Sequence, residues 1–224
     1  MRAMSETHKS SSRIRILLAD DHAMVVEGLR ALLENSYEIV GVAADGRAML
    51  EVACKLHPDV IVVDVSMPSL NGLDAAERLK TLLPDVKLVF LTMQDNSNLA
   101  AAALRLGAVG YVLKHSAASE LMTAISAVLE GKSYVTPKLR PENWAVREAR
   151  AQQYSKELTA RQREVLQLLA EGRGMKEIAA ILEVSNRTIM YHKYHIMQEF
   201  NLKNNADIVL FAIKQHLIPA CDIT

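Results

Sequence analysis

Five polar side chains stand at or just past the ends of short apolar runs in the first half of the chain. Asp20 and Asp21 follow residues 14–19, Asp64 ends 60–64, Thr92 follows 88–91 and Lys114 follows 109–113. If these runs are parallel strands of one sheet, their C-terminal ends share a crevice, and the reversal of strand order sets the first and third strands side by side. Three carboxylates gathered there repel one another unless a cation intervenes, and hard oxygen ligands with room for water and phosphate suit Mg²⁺. With the Lys114 ammonium and the Thr92 hydroxyl at the neighbouring strand ends, the set matches what phosphoryl transfer to a carboxylate requires. Catalysis of that kind is mostly positioning and charge neutralisation.

The elements that must place these groups are readable. Runs at 14–19, 39–43, 60–64, 88–91 and 109–113 are rich in Val, Ile and Leu and alternate with amphipathic segments, which implies a parallel sheet covered on both faces. Asn71-Gly72 opens one helix, through Leu79 and Leu83, and Gly107 closes another, through Leu99 and Leu104. From Lys132 the pattern dissolves into Pro137, Pro141 and a charged, Ala-rich stretch, the mark of a linker. Beyond it, residues 159–170, 175–182, 186–200 and 205–217 have helical spacing and no strand pattern remains. The expected architecture is an α/β doubly wound (βα)5 domain over 13–131, a linker over 132–156 and an all-α four-helix domain over 157–218.

Composition agrees with two folded domains in 224 residues, half of them hydrophobic and 23% charged. No apolar stretch reaches the roughly 20 residues of a membrane span, and residues 1–12 lack a signal-peptide core, so the expected compartment is the cytoplasm. Cys54 and Cys221 have no ligand or redox spacing and are read as reduced and without function. Formal net charge is zero, so any nucleic-acid binding must come from a local face or from dimerisation.

Leu17-Leu18-Ala19-Asp20-Asp21-His22, Asp64-Val65-Ser66-Met67-Pro68, Leu91-Thr92 and Gly107 through Lys114 together resemble the receiver domains of two-component systems, over residues 14–130. The resemblance implies that Asp64 is the phosphoacceptor, and that Asp20, Asp21 and Asp64 hold Mg²⁺ with the main-chain carbonyl of Ser66. It implies that Lys114 neutralises the phosphoryl group and that Thr92 and Tyr111 form a switch pair, Thr92 moving toward the phosphoryl group and Tyr111 turning into the vacated space.

In the second domain, Thr159 and Gln162 have the spacing of a capping box. Leu158, Val165, Leu166, Leu169, Ile178, Ala179, Leu182, Ile189 and Ile196 supply a small core at helical spacing. Ser185 is placed to cap the helix beginning at Asn186, and helix, tight turn and helix is the arrangement that presents the second helix to a major groove. On that helix Arg187, Met190, Tyr191, Tyr194 and Gln198 share one face while Ile189, Ile196 and Phe200 share the other. No acidic residue occurs from Val184 to Gln198. Arg187, Lys193 and Lys176, the Ser185 and Thr188 hydroxyls, and the side chains of Met190, Tyr191 and Tyr194 are the expected DNA contacts, with Met190 suited to a thymine methyl.

Leu158-Thr159, Arg161, Glu164-Val165-Leu166, Leu169 through Gly172, Lys176 through Ala179, Ser185 through Ile189 and His192 resemble the LuxR-type helix-turn-helix, over 158–217. Together the two halves resemble the NarL/FixJ group of response regulators. The resemblance implies a histidine kinase as phosphoryl donor, double-stranded DNA as ligand, and a homodimer held partly by residues 205–217. Met190 and Tyr194 stand where many relatives carry Lys or other polar readers, which leaves open a regulator that binds a partner protein and reads DNA sequence weakly.

Enzymes on similar sheets fit poorly. The aspartyl phosphatases related to haloacid dehalogenase need a second Asp two positions after the nucleophile, where this chain has Ser66. A nucleotide or flavin enzyme needs a glycine-rich anion loop where Asp20-Asp21 stand. Only self-phosphorylation and dephosphorylation at Asp64 are expected. His192 and His195 lie one turn apart without further zinc ligands nearby. Tyr134 and Trp144 fall in the expected linker, where an aromatic can clamp two domains together.

Overall fold

Val60-Ile61-Val62-Val63 is buried throughout and feeds both faces of a sheet: Ile61 and Val63 pack into one core, Val60 and Val62 into the other. That split is the period-two alternation of a strand buried on both sides. The computed structural model describes residues 13–95, 97–106, 109–139 and 158–219. Trp144, Cys221 and Gly107 lie outside them.

In the first domain β1 (Arg15–Ala19), α1 (Ala23–Leu33), β2 (Glu38–Ala43), α2 (Gly46–Leu56), β3 (Val60–Asp64), α3 (Gly72–Leu82), β4 (Lys87–Thr92), α4 (Ser97–Leu104), β5 (Val109–Leu113) and α5 (Ala117–Leu129) follow one another. The strands are parallel in the order β2-β1-β3-β4-β5, so β1 and β3 are neighbours, as the acidic cluster requires. Asn71 caps α3 by accepting from the Asp74 amide.

In this domain two features depart from the sequence expectation. A sixth strand, β6 (Tyr134–Val135), pairs parallel with β5 inside the stretch expected to be linker. The Thr136 amide donates to the Tyr111 carbonyl at 2.9 Å, and its hydroxyl accepts from the Leu113 amide while donating to Glu120. Tyr134 donates its hydroxyl to Glu120 on α5, which fixes it to the first domain. Tyr111, secondly, is already turned inward, packed in one core with Leu99, Ala103, Val135 and Leu139.

The second domain comprises α6 (Ala160–Ala170), α7 (Met175–Ile181), α8 (Asn186–Glu199) and α9 (Asn205–Lys214). Thr159 and Gln162 form the expected capping box, and Ser185 caps α8 by accepting from the Thr188 amide. Val165, Leu166, Ile178, Ile189 and Ile196 meet at its centre, each contributing about 1.5–3 kcal/mol through burial. Helix α9 stops short of Leu217 because His216 adopts a left-handed φ of 58°, and the Leu217 amide turns back to the Ala212 carbonyl at 3.0 Å. Leu217 and Ile218 are thereby buried rather than carried on along a helix.

Candidate functional site

The strand ends deliver the expected cluster. Asp20 and Asp64 are 3% and 2% exposed, and Lys114 Nζ lies 2.8 Å from an oxygen of each. Asp21 sits at the rim, where His22 Nδ1 approaches its carboxylate at 2.8 Å. Asp64 also accepts from the Ser66 amide at 3.2 Å, which draws the start of the β3–α3 loop around the carboxylate. Burial holds the Asp64 carboxyl above its usual range, an effect that Lys114 opposes and Asp20 reinforces. Burial works against the Lys114 ammonium too, but Asp64 and Asp20 outweigh it and hold it above the ordinary lysine value.

One ammonium thus faces two buried carboxylates and a third at the rim, and the site is short of positive charge. Ligand atoms of Asp20, Asp21, His22 and Asp64 all lie within 4.8 Å of one another, so the donor set fits a hard dication. Thr92 is fully buried at the end of β4, with its hydroxyl accepting from the Gln94 amide at 3.0 Å. Burial pushes the Tyr111 hydroxyl up, which keeps it protonated.

The expected reading face is open. Met190, Tyr191 and Tyr194 are 53%, 59% and 60% exposed, and Arg187, Lys176 and Ser185 are exposed as well. Thr188 is half-buried, its hydroxyl 2.9 Å from that of Ser185. Tyr191 lies over the His195 ring at 4.3 Å, and Tyr194 meets the same ring edge-on. Lys193 differs from its neighbours: it is half-buried and donates to Asn205 on α9 at 3.0 Å. His192 is half-buried, and burial lowers its imidazole pKa.

A polar seam between the two domains lies beside the acidic cleft, and nothing in the sequence reading singled it out. Gln167 on α6 is wholly buried, donates to the Met67 carbonyl at 2.9 Å and accepts from the Asn71 amide at 3.0 Å. Glu171 accepts from the Ser69 amide at 3.0 Å. Arg163 reaches Asp74 at 2.6 Å and Glu77 at 2.9 Å. Glu164, 2% exposed, is paired with Arg47 at 3.1 Å and with Arg78. Where α9 turns back, a cleft of about 240 Å³ has Asp64, Ser66 and Lys114 on one side and Glu171, Leu217 and Ile218 on the other.

Residues 16–126 match the response regulator receiver domain family, and 156–212 match the bacterial regulatory proteins of the luxR family. The oxygen regulatory protein NreC of Staphylococcus epidermidis is 37% identical over 216 residues, spanning 92% of this chain and 99% of that protein. NreC of Staphylococcus carnosus is also 37% identical, over 215 residues and the same shares of the two chains. Among solved structures, the Salmonella typhimurium response regulator RcsB has a TM-score of 0.63 at 28% identity, covering 92% of this chain and 99% of that one. RcsB of Salmonella enterica serovar Typhimurium bound to a promoter with a phosphomimetic gives 0.62 at 28% identity, covering 91% and 100%. With its strand-end carboxylates on the first domain and its capped, outward-facing helix on the second, the chain belongs to the two-component response regulators that join a receiver domain to a LuxR-type DNA-binding domain.

Proposed function

We propose that Asp64 accepts a phosphoryl group from a partner histidine kinase in the cytoplasm, and that its phosphorylation controls binding of a homodimer to double-stranded DNA. The observation that carries this reading is Lys114 Nζ at 2.8 Å from both Asp20 and Asp64 in a cleft that also has Asp21 at its rim. Asp20, Asp21, Asp64 and the Ser66 main-chain carbonyl are the residues to hold Mg²⁺, which when bound neutralises charge on the transferring group. Asp64 supplies the accepting oxygen, Lys114 pairs with the new negative charge, and Thr92 is the hydroxyl at the adjacent strand end. Tyr111 is the second member of the switch pair. Chemistry beyond self-phosphorylation and dephosphorylation at Asp64 is not part of this reading. The working division is a receiver over 13–131, a connection over 132–156 and a DNA-binding unit over 157–218, with β6 the part of the connection that the receiver holds.

The test is retention of fragmented genomic DNA with and without Mg²⁺ and beryllofluoride, a stand-in for the phosphoryl group, at fixed salt. Enrichment of discrete fragments that grows with the mimic is expected. Retention that is salt-labile and unselective in both conditions would instead favour a regulator that binds a partner protein, which the exposed Met190, Tyr191 and Tyr194 also suit.

On the reading face, Arg187→Ala is expected to weaken binding across all sequences and reduce the salt slope of log K by about one, as for loss of one phosphate contact. Tyr194→Ala is expected to weaken binding to the selected fragments, and an unchanged isotherm would remove Tyr194 from the interface.

A further inference from the structure

Lys114 has the most demanding placement in the cleft. Its Nζ stands 2.8 Å from both Asp20 and Asp64 and its side chain is 9% exposed, so the stem has little room to make up for a displaced backbone. The chain here leaves β5 and enters a single 3-10 turn over Lys114–Ser116. Strand β4 supports β5 on one side, with Thr92 in register with Leu113. On the other side β6 pairs only with Gly110 and Tyr111, so the edge of β5 leading to Lys114 runs past the end of its last strand neighbour. Buried backbone groups on that edge need other partners. Thr136, 2% exposed, supplies them: its hydroxyl accepts from the Leu113 amide at 3.1 Å, and its own amide donates to the Tyr111 carbonyl at 2.9 Å.

The hydroxyl is itself oriented from behind. A threonine hydroxyl has one proton and two lone pairs and rotates to suit its surroundings. Glu120 Oε2 on α5 accepts that proton at 2.7 Å, which turns a lone pair toward the Leu113 amide, and Tyr134 donates to the same oxygen at 3.0 Å. A connected set of hydrogen bonds thus ends one peptide before Lys114. We propose that Thr136 is a positioning residue for Lys114, aimed by Glu120, so that charge neutralisation at Asp64 depends on a side chain outside the five strand ends. The inference rests on Asp64 being the phosphoacceptor and Lys114 its counter-charge. Thr136 acts on the transferred group only through the backbone of β5 and the Lys114 ammonium. The dication is the task of Asp20, Asp21, Asp64 and the Ser66 carbonyl, so loss of the Thr136 hydroxyl loosens the hold on the phosphoryl group and spares the hold on Mg²⁺.

The full-length protein tests this with wild type, Thr136→Val, Thr136→Ser, Lys114→Ala and the Thr136→Val, Lys114→Ala double variant. Acetyl phosphate with Mg²⁺ is the donor: its P–O bond breaks as a new P–O bond forms to an Asp64 carboxylate oxygen, acetate leaves, and the adduct is followed by intact mass. Calorimetric titration with Mg²⁺, and then with beryllofluoride, separates the two holds. Thr136→Val keeps the side-chain shape and removes both hydroxyl bonds. It is expected to slow adduct formation about tenfold and to weaken beryllofluoride binding by a similar factor, with Mg²⁺ affinity unchanged. Thr136→Ser is expected to restore both. On Lys114→Ala, the further change Thr136→Val is expected to add nothing, because the group it positions has gone. Glu120→Ala, which leaves the β6 backbone in place, is expected to give the Thr136→Val pattern more weakly, and it carries the test if Thr136→Val does not fold. A wild-type rate in Thr136→Val would overturn the proposal, and so would equal slowing with and without Lys114. A loss of Mg²⁺ affinity matching the loss of beryllofluoride affinity would overturn it in favour of general loosening of the receiver. No adduct on wild type would sink the phosphoacceptor assignment and the role of Thr136 with it.

Discussion

Asp64→Asn is expected to abolish the acetyl-phosphate adduct entirely while making the metal-free protein more stable. The loss follows because an amide oxygen carries no full charge to attack phosphorus, and Asp20, unlike Asp64, does not line the cleft. The gain follows from the sign of the Asp64 shift. Burial raises its carboxyl above the usual range in the folded protein, so its contribution to stability is fully present below the unfolded carboxyl pKa and lost as pH rises through the folded value. At neutral pH the ionised carboxylate is therefore a cost, and the neutral amide removes it along with repulsion from Asp20. Thermal unfolding with a chelator should show a higher transition for Asp64→Asn, with the difference shrinking as pH falls through the carboxylate range. Retained adduct, or a lower transition, would contradict the account.

A loss of comparable size, but in stability, is expected from Gly72→Ala. Gly72 begins α3 where its backbone closes against β3: its amide donates to the Val65 carbonyl at 2.9 Å, and a Cβ there would overlap the Asp64 carbonyl oxygen. The obstruction is backbone, which cannot swing aside as a flexible side-chain tip does. Strain of this kind costs about 1–3 kcal/mol, occasionally more. In a protein of this size each kcal/mol lowers the melting temperature by about 2–4 °C. Because the displaced atoms belong to Asp64 and its loop, the phosphorylation rate should fall together with the receiver transition. Gly28→Ala is the control, since a Cβ at Gly28 meets nothing within 4 Å. Equal melting of the two variants would show that the β3–α3 loop relaxes freely.

The acidic cleft was legible because its information is local. Each of Asp20, Asp64, Thr92 and Lys114 is announced by the β-branched or apolar run before it, and parallel strands carry their ends to one edge. The caps at Thr159, Asn71 and Ser185 were legible for the same reason, each bond spanning three residues. The seam was not. Arg163, Glu164, Gln167 and Glu171 form a polar stripe along and just beyond α6, and such a stripe ordinarily reads as a solvated face. Its partners lie 86 to 117 residues away, so no periodicity marks Gln167 as fully buried. Lys193 looked like its exposed neighbours because Asn205, which holds it, is on another helix. Strand β6 is two residues long, too short for alternation to appear, and it is defined by pairing with β5. The inward Tyr111 shares its core with Val135 and Leu139 from that added segment.

The sixth strand also changes what one side of the sheet offers to other molecules. An open strand edge is a template for backbone pairing, and a longer β5 left bare would present a row of unanswered amides and carbonyls. Here Tyr134 and Val135 occupy that row, Thr136 answers two more groups, and the new edge is only two residues long. Copies of this chain crowded side by side therefore meet on this flank through side chains, with selectivity set by shape and charge, rather than by extending one continuous sheet.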